Sequence, residues 1–369
     1  MKLLSLVVLQ LMSSAIALDN GLALTPPMGW LSWQRFRCIT DCKKYPNECI
    51  SEFLIKRQAD LMLSEGYLAA GYEYVGIDDC WLEKERDAHG RMVPDRTRFP
   101  SGMKSLADFL HSKGFKFAMY EDYGTKTCAG YPGVLGHEEM DIRTFVEWEI
   151  DYLKLDGCNI ATEKMDEGYP AFGKIMNETG RPIVYSCSWP AYQENPNYAS
   201  IAEHCNLWRN WDDIMDSWAS LTKIMDWFAD HQDELVKYSG PGHWNDPDMI
   251  WTRELSHGAY AVAVVSRRDD GTPHPLTVTY DDMKIPQYTY EIKDIFNDET
   301  NIPNLSPGMN FATRINPSGV RFYKFIPKST NTKDCEEVER KKGPDVVISE
   351  SETSIHQARN KKFFFTTNV

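Results

Sequence analysis

Lys154 and Asp156, separated by one residue near the middle of the chain, are the first pair whose types and spacing could do chemistry. They close the run DYLKLDGC, Asp151 to Cys158. Alternate residues of a strand face the same side, so an ammonium and a carboxylate would share one face at its end. Burying such charges is costly. A structural ion pair would also explain the spacing, so the surrounding elements must decide.

Other runs end in the same way. LTPPMGWLSW closes at Trp33, YEYVGIDDCW reaches Asp78 and Asp79, and FKFAMY ends at Tyr120. PIVYSCSW closes near Ser188, NLWRN near Arg209, and GHWNDPDM at Asp248. Helical patterns lie between them, such as Ile50, Phe53, Leu54, Arg57 and Leu61 in ISEFLIKRQADLML. Strands alternating with helices predict an α/β chain with a parallel sheet, in about seven strand–helix steps. In a barrel of that kind the chemistry sits at the C-terminal strand ends. A series of charges converging there is hard to explain by stability, because burying them costs free energy.

Carboxylates, a lysine, an arginine and tryptophans around one mouth suggest a carbohydrate pocket. Sugars offer hydroxyls to the former and apolar ring faces to tryptophan. Glycoside hydrolysis needs two carboxyl groups. Asp156 is the expected nucleophile, held ionised by the nearby cation Lys154. The acid/base must stand on another strand end. Asp213 in WRNWDDI leads, and Asp212 and Asp216 compete with it, since spacing alone does not choose.

No metal or cofactor is implied. Asp78-Asp79 lacks the rest of a calcium loop, and His204 and His243 are isolated. No G-x-S-x-G motif is present, and GPGHWNDPDM does not match a phosphate loop.

The chain has 369 residues and a net charge of −14, which argues against nucleic acid and anionic membranes as partners. Residues 1–17 resemble a signal peptide: Lys2, an apolar core, then Ala15-Ile16-Ala17. No later run is long enough to span a bilayer. Nine cysteines suit the secretory pathway. Eight lie between Cys38 and Cys205, which suggests four bridges, with Cys335 left over. Asn177 and Asn304 head glycosylation sequons. After Trp251 the runs become short and β-rich, predicting an antiparallel β domain. The expected domains are a barrel over 18–250, a partial β domain over 251–328 and a disordered tail over 329–369.

The segments LTPPMGWLSWQRFRC, YVGIDDCW, KTCAGYPG, YLKLDGC, YSCSWPAY, LWRNWDDIMDSW and GPGHWNDPDM occur in this order from Leu24 to Met249. Together they resemble glycoside hydrolase family 27, the lysosomal-type α-galactosidases and α-N-acetylgalactosaminidases. The resemblance implies a (β/α)8 TIM-type barrel followed by an antiparallel β-sandwich-like domain, retention through a covalent glycosyl intermediate, and a homodimer. It implies Asp156 as nucleophile and Asp213 as acid/base. It places Trp33, Asp78, Asp79, Tyr120, Cys128, Lys154, Tyr192, Arg209, Asp248 and Met249 at sugar-contact positions. It implies the bridges Cys38–Cys80, Cys42–Cys49, Cys128–Cys158 and Cys187–Cys205. Small residues at Ser188 and Ala191 resemble the N-acetylgalactosaminidase type, leaving room for a 2-acetamido group.

The resemblance breaks after Ile250, where the chain passes directly into what resembles an early strand of the β domain. On the order of two strand–helix units of the barrel are missing there. The expected barrel is therefore incomplete, with exposed strand edges that would lower stability and could impair activity.

Overall fold

The computed structural model describes residues 18, 20–238, 250–266, 273–296, 302–316 and 319–328. The expected signal peptide, the expected tail with Cys335, and Asp248 and Met249 lie outside the described residues.

Six short strands run parallel in chain order: β1 (Gly29–Leu31), β2 (Tyr74–Ile77), β3 (Lys116–Asp122), β4 (Tyr152–Asp156), β5 (Val184–Cys187) and β6 (Leu207–Trp208). Helices separate them: α1 (Trp33–Phe36), α2 (Glu52–Ser64), α3 (Gly102–Ser112), α4 (Glu138–Trp148), α5 (Met165–Glu178) and α6 (Tyr198–His204). Helix α7 (Trp218–Leu235) follows β6. Val75, Ile77, Phe117, Leu153 and Leu155 are almost wholly buried, as parallel strands covered on both faces require.

Among the described residues the parallel sheet has six strands, matching the first six of the expected series. The segment expected as the seventh, Gly242 to Met249, lies outside the described residues. The next strand, β7 (Ile250–Glu254), is antiparallel to β8 (Tyr260–Val265) and so is no barrel strand.

One helical face is corrected. Ser51 caps α2 by accepting from the Leu54 N–H, and the buried face is Leu54, Ile55, Ala59 and Met62. Phe53 and Leu61 are 55% and 45% exposed. Ile50, the start of the expected face, is buried before the cap and bonds the Ile39 carbonyl. Counting from a residue outside the helix rotated the face.

Four disulfides form: Cys38–Cys80, Cys42–Cys49, Cys128–Cys158 and Cys187–Cys205. Cys80 and Cys158 lie just beyond the C-terminal ends of β2 and β4, and Cys187 ends β5. Three of the four bridges therefore tie down the rim where the polar strand ends converge.

The chain divides into two compact units, the first containing the parallel sheet and the second the antiparallel sheets. Ile214–Gln232, most of α7, group with the second. That unit holds β9 (His274–Val278), β10 (Tyr290–Asp294), β11 (Phe311–Ile315) and β12 (Val320–Pro327) besides β7 and β8. A four-stranded sheet runs in the order β10-β12-β8-β7, and β11 pairs with β9. In β10, Tyr290, Ile292 and Asp294 point in while Glu291 and Lys293 point out, the alternation of a half-buried strand. Val262, Val278, Tyr290, Phe311, Tyr323 and Phe325 form its core.

Candidate active site

Asp156 ends β4 and is 7% exposed. Its Oδ1 accepts from the Tyr192 hydroxyl at 2.6 Å, the Gly157 N–H at 3.0 Å and Arg209 Nη2 at 3.2 Å. Its Oδ2 accepts from the Tyr120 hydroxyl at 3.1 Å. Burial pushes the carboxyl up, but Lys154, Arg209 and the Tyr192 hydroxyl outweigh it and hold Asp156 below the ordinary carboxylate value. A carboxylate so placed stays ionised in mild acid, as the expected nucleophile must.

Strand register explains how these groups meet. Tyr120 sits opposite Lys154, and Asp122 opposite Asp156. Lys154 lies in turn opposite Ser186 on β5. The neighbouring strands therefore deliver their ends to one rim.

Lys154 has a different direct partner from the one its spacing suggests. Its Nζ donates to Asp78 Oδ2 at 2.8 Å, with both residues buried. Asp156 acts on it at longer range. Burial would lower the ammonium, yet Asp78 and then Asp156 hold it above its ordinary value. Asp78 is positioned through its own N–H, which donates to Ser32 Oγ at 2.9 Å. Asp79 turns the other way: its Oδ2 accepts from the Ala129 N–H at 2.9 Å and its Oδ1 from the Cys80 N–H at 2.6 Å. Asp79 thus ties the end of β2 to the loop holding Cys128, and burial raises its carboxyl.

Arg209 follows β6 and lies between two acids. While its Nη2 serves Asp156, its Nε stands 3.6 Å from Asp213 Oδ1, an ion-pair distance. The Asp213 side chain is 45% exposed. Asp212 and Asp216 are exposed too. Asp213 is thus joined to Asp156 through one guanidinium and open to solvent, which suits proton exchange with a substrate.

The Cys128–Cys158 disulfide forms a wall: Cys128 Sγ is 3.5 Å from Asp156 Oδ2 and, having no hydrogen, contacts it without donating. A Cβ on Gly157 would fall 2.7 Å from Met165 Cε and 2.8 Å from the Tyr192 ring, so only glycine fits there. Ser188 is buried just after β5, and its N–H donates to the Leu155 carbonyl at 2.9 Å. Ala191 is half-buried on the 3-10 turn Trp189–Tyr192. Trp33 opens α1, half-buried, with the Arg37 guanidinium 5.0 Å over its ring. Asn177 and Asn304 are exposed.

Three nearby residues were missed by the sequence reading. Tyr169, fully buried on α5, donates to the Asp156 carbonyl at 2.7 Å. Asp122 and Glu121 extend β3 past Tyr120 and are both buried. Asp122 Oδ2 accepts from the Cys158 N–H at 2.9 Å, and burial, with Asp156 nearby, raises its carboxyl to about 8. Burial pushes Glu121 well up as well. The consecutive acids after FKFAMY were the one available signal.

A parallel β/α sheet whose strand ends gather two linked carboxylates, a lysine and an arginine has the parts that glycoside hydrolysis needs. Residues 25–259 match the family described as Alpha galactosidase A, and residues 244–319 match its C-terminal beta sandwich domain. The chain belongs to this family. It is similar to Alpha-N-acetylgalactosaminidase of Gallus gallus, 41% identical over 390 residues, covering 85% of this chain and 96% of that protein. That alignment is longer than this chain, so the relative holds stretches with no counterpart here. Alpha-N-acetylgalactosaminidase of Homo sapiens is 52% identical over 243 residues, 64% of this chain and 59% of that protein. Alpha-galactosidase A of Homo sapiens is 51% identical over 240 residues, covering 64% of this chain and 56% of that one. Against these two the chain spans less than two thirds of the relative's length. In fold it is similar to alpha-galactosidase I from Mortierella vinacea, with a TM-score of 0.69 at 24% identity, over 85% of this chain and all of that one.

Proposed function

We propose that the chain is a retaining exo-glycosidase that removes terminal α-linked N-acetylgalactosamine, and more weakly α-galactose, from glycolipids, glycoproteins or oligosaccharides. The observation that carries this reading is Asp156, a buried carboxylate kept ionised by Lys154 and Arg209 and gripped by two tyrosine hydroxyls. It attacks the anomeric carbon while Asp213 protonates the leaving oxygen. Asp213 then draws a proton from the water that releases the sugar. Asp78 and Lys154, Arg209, and Trp33 with its apolar ring are the groups for the sugar's hydroxyls and faces. The names of its relatives support the substrate class.

Preference for the 2-acetamido sugar rests on Ser188 and Ala191. Both are small, so the turn leaves room for an N-acetyl group, and a 2-hydroxyl fits with fewer contacts. Chromogenic α-N-acetylgalactosaminide and α-galactoside turnover tests this. Ser188→Glu combined with Ala191→Leu is expected to reverse the preference, and an unchanged ratio would refute the pocket assignment.

The domain reading stands beside this one: a catalytic unit within 18–250 and a β domain within 251–328. Four disulfides suit an oxidising compartment. With the leader and the exposed sequons, this supports the secretory pathway, glycosylation at Asn177 and Asn304, and delivery to the lysosome or export. A homodimer follows from the family resemblance.

The chain's passage at Ile250 directly into an antiparallel strand favours one alternative, an impaired product that binds sugar without turning it over. Sugar binding by calorimetry with no released chromophore would decide for it.

A further inference from the structure

Helix α5 holds both the expected nucleophile and the turn that carries Ser188, Ala191 and Tyr192. Tyr169 reaches the Asp156 carbonyl, and its ring stacks on Trp189 at 5.8 Å between centroids and 19° between planes. One helical turn earlier, Asp166 stands at the surface with its Oδ1 turned to the same loop. That single oxygen accepts from the Trp189 indole N–H at 3.0 Å and from Gln193 Nε2 at 2.9 Å. Trp189 is the first residue of the 3-10 turn and Gln193 the residue just past its end. One carboxylate therefore clasps both ends of a four-residue turn, with Ala191 and Tyr192 between the clasped points and Ser188 just before them. The Gln193 amide also donates to the Thr162 carbonyl at 3.3 Å, so the clasp is anchored ahead of α5 as well.

We propose that Asp166 is a positioning residue that sets the distance between the Ser188–Tyr192 turn and Asp156, and thereby sets the discrimination between 2-acetamido and 2-hydroxyl sugars. It touches no substrate. Without it the turn keeps the Ser188 N–H bond to Leu155 and the Tyr192 bond to Asp156. Its middle, where Ala191 would meet the acetamido methyl, loses both lateral supports. Hydrogen bonds to a charged acceptor are stronger than neutral ones, and both donors here share one. A 2-hydroxyl makes few contacts with that segment, so its turnover depends less on the turn's position.

The proposal rests on the glycosidase reading, and its test separates the two. Asp166→Ala and Asp166→Asn are compared with the unaltered chain by kinetics on both chromogenic sugars and by amide exchange over 187–193. For Asp166→Ala, KM for the acetamido sugar is expected to rise roughly 5–10-fold with kcat nearly unchanged, and the α-galactoside KM to move less than about twofold. Exchange across the turn should quicken about tenfold. Asp166→Asn keeps an oxygen acceptor and should restore the substrate ratio and the slow exchange. Equal losses on both sugars, or a turn whose exchange does not change in Asp166→Ala, overturns the positioning role. If the unaltered chain turns over neither sugar, the glycosidase reading fails, and the exchange comparison still decides whether Asp166 holds the turn.

Discussion

The two units of the chain bury different things. Within the parallel unit, Asp78, Asp79, Glu121, Asp122, Asp141, Lys154 and Asp156 are all buried. The β unit's described core is aliphatic and aromatic: Val262, Tyr290, Phe311, Tyr323 and Phe325, with Asp294 paired to Arg321 at its edge. Apolar burial alone suffices to hold a sheet pair together. Buried charge lowers stability unless paired, so its concentration in the parallel unit singles out the candidate site. The same contrast recurs on a smaller scale between Asp122 and Asp156. They are register partners on adjacent strands, of the same residue type. Asp156 has cations beside it and is held down, whereas Asp122 faces burial and the Asp156 charge and is pushed up to about 8. Neighbours, not residue type, set the protonation.

Several variants would break or sharpen this contrast. The largest effect is expected from Asp156→Asn, which should lower kcat on the order of 10⁴-fold while near-ultraviolet circular dichroism stays native. Lys154→Met leaves Asp78 buried and uncompensated, so urea unfolding should show a loss of about 3–5 kcal/mol. Phe325→Ala in the β core should cost a similar ~3–5 kcal/mol by cavity formation. There the resemblance should end: the Phe325 variant is expected to keep the native pH–rate profile, and a moved acid limb would erase the distinction between the units.

A smaller effect is expected from pH. Between its ordinary value of 3.8 and about 8, folded Asp122 keeps a proton that the unfolded chain has released. Stability should therefore fall as pH rises through that window, by up to ~1.4 kcal/mol per unit from this one group. Asp122→Asn should flatten the slope in urea titrations at pH 5, 6 and 7. An unaltered slope would assign the proton elsewhere, Asp79 and Glu121 being the next candidates because burial raises both. The smallest effect is expected from Tyr169→Phe, which removes one hydrogen bond to the Asp156 carbonyl and should cost about 1 kcal/mol of stability.

Much of the scaffold was legible because its signals are local. Parallel strands buried on both faces produce apolar runs, and the polar residues that interrupt them stand out: Asp78, Asp156 and Arg209 each fall at or just past a strand end, and Tyr120 lies two residues before one. Local counting failed where the reference residue lay outside the element, as with Ile50 before α2. Ile250–Glu254 pairs with β8, as the expected passage into the β domain requires.

The sequence by itself determined the alternation of elements, the family, and Asp156 as the residue around which the site forms. Tertiary structure alone decided that Lys154 pairs with Asp78, that Arg209 links Asp156 to Asp213, and that Tyr169 and Asp166 brace Asp156 and its neighbouring turn from α5. The reason is physical. Spacing along a strand or helix sets which way a side chain points, but a partner from another strand or helix is chosen only when packing brings the two elements together.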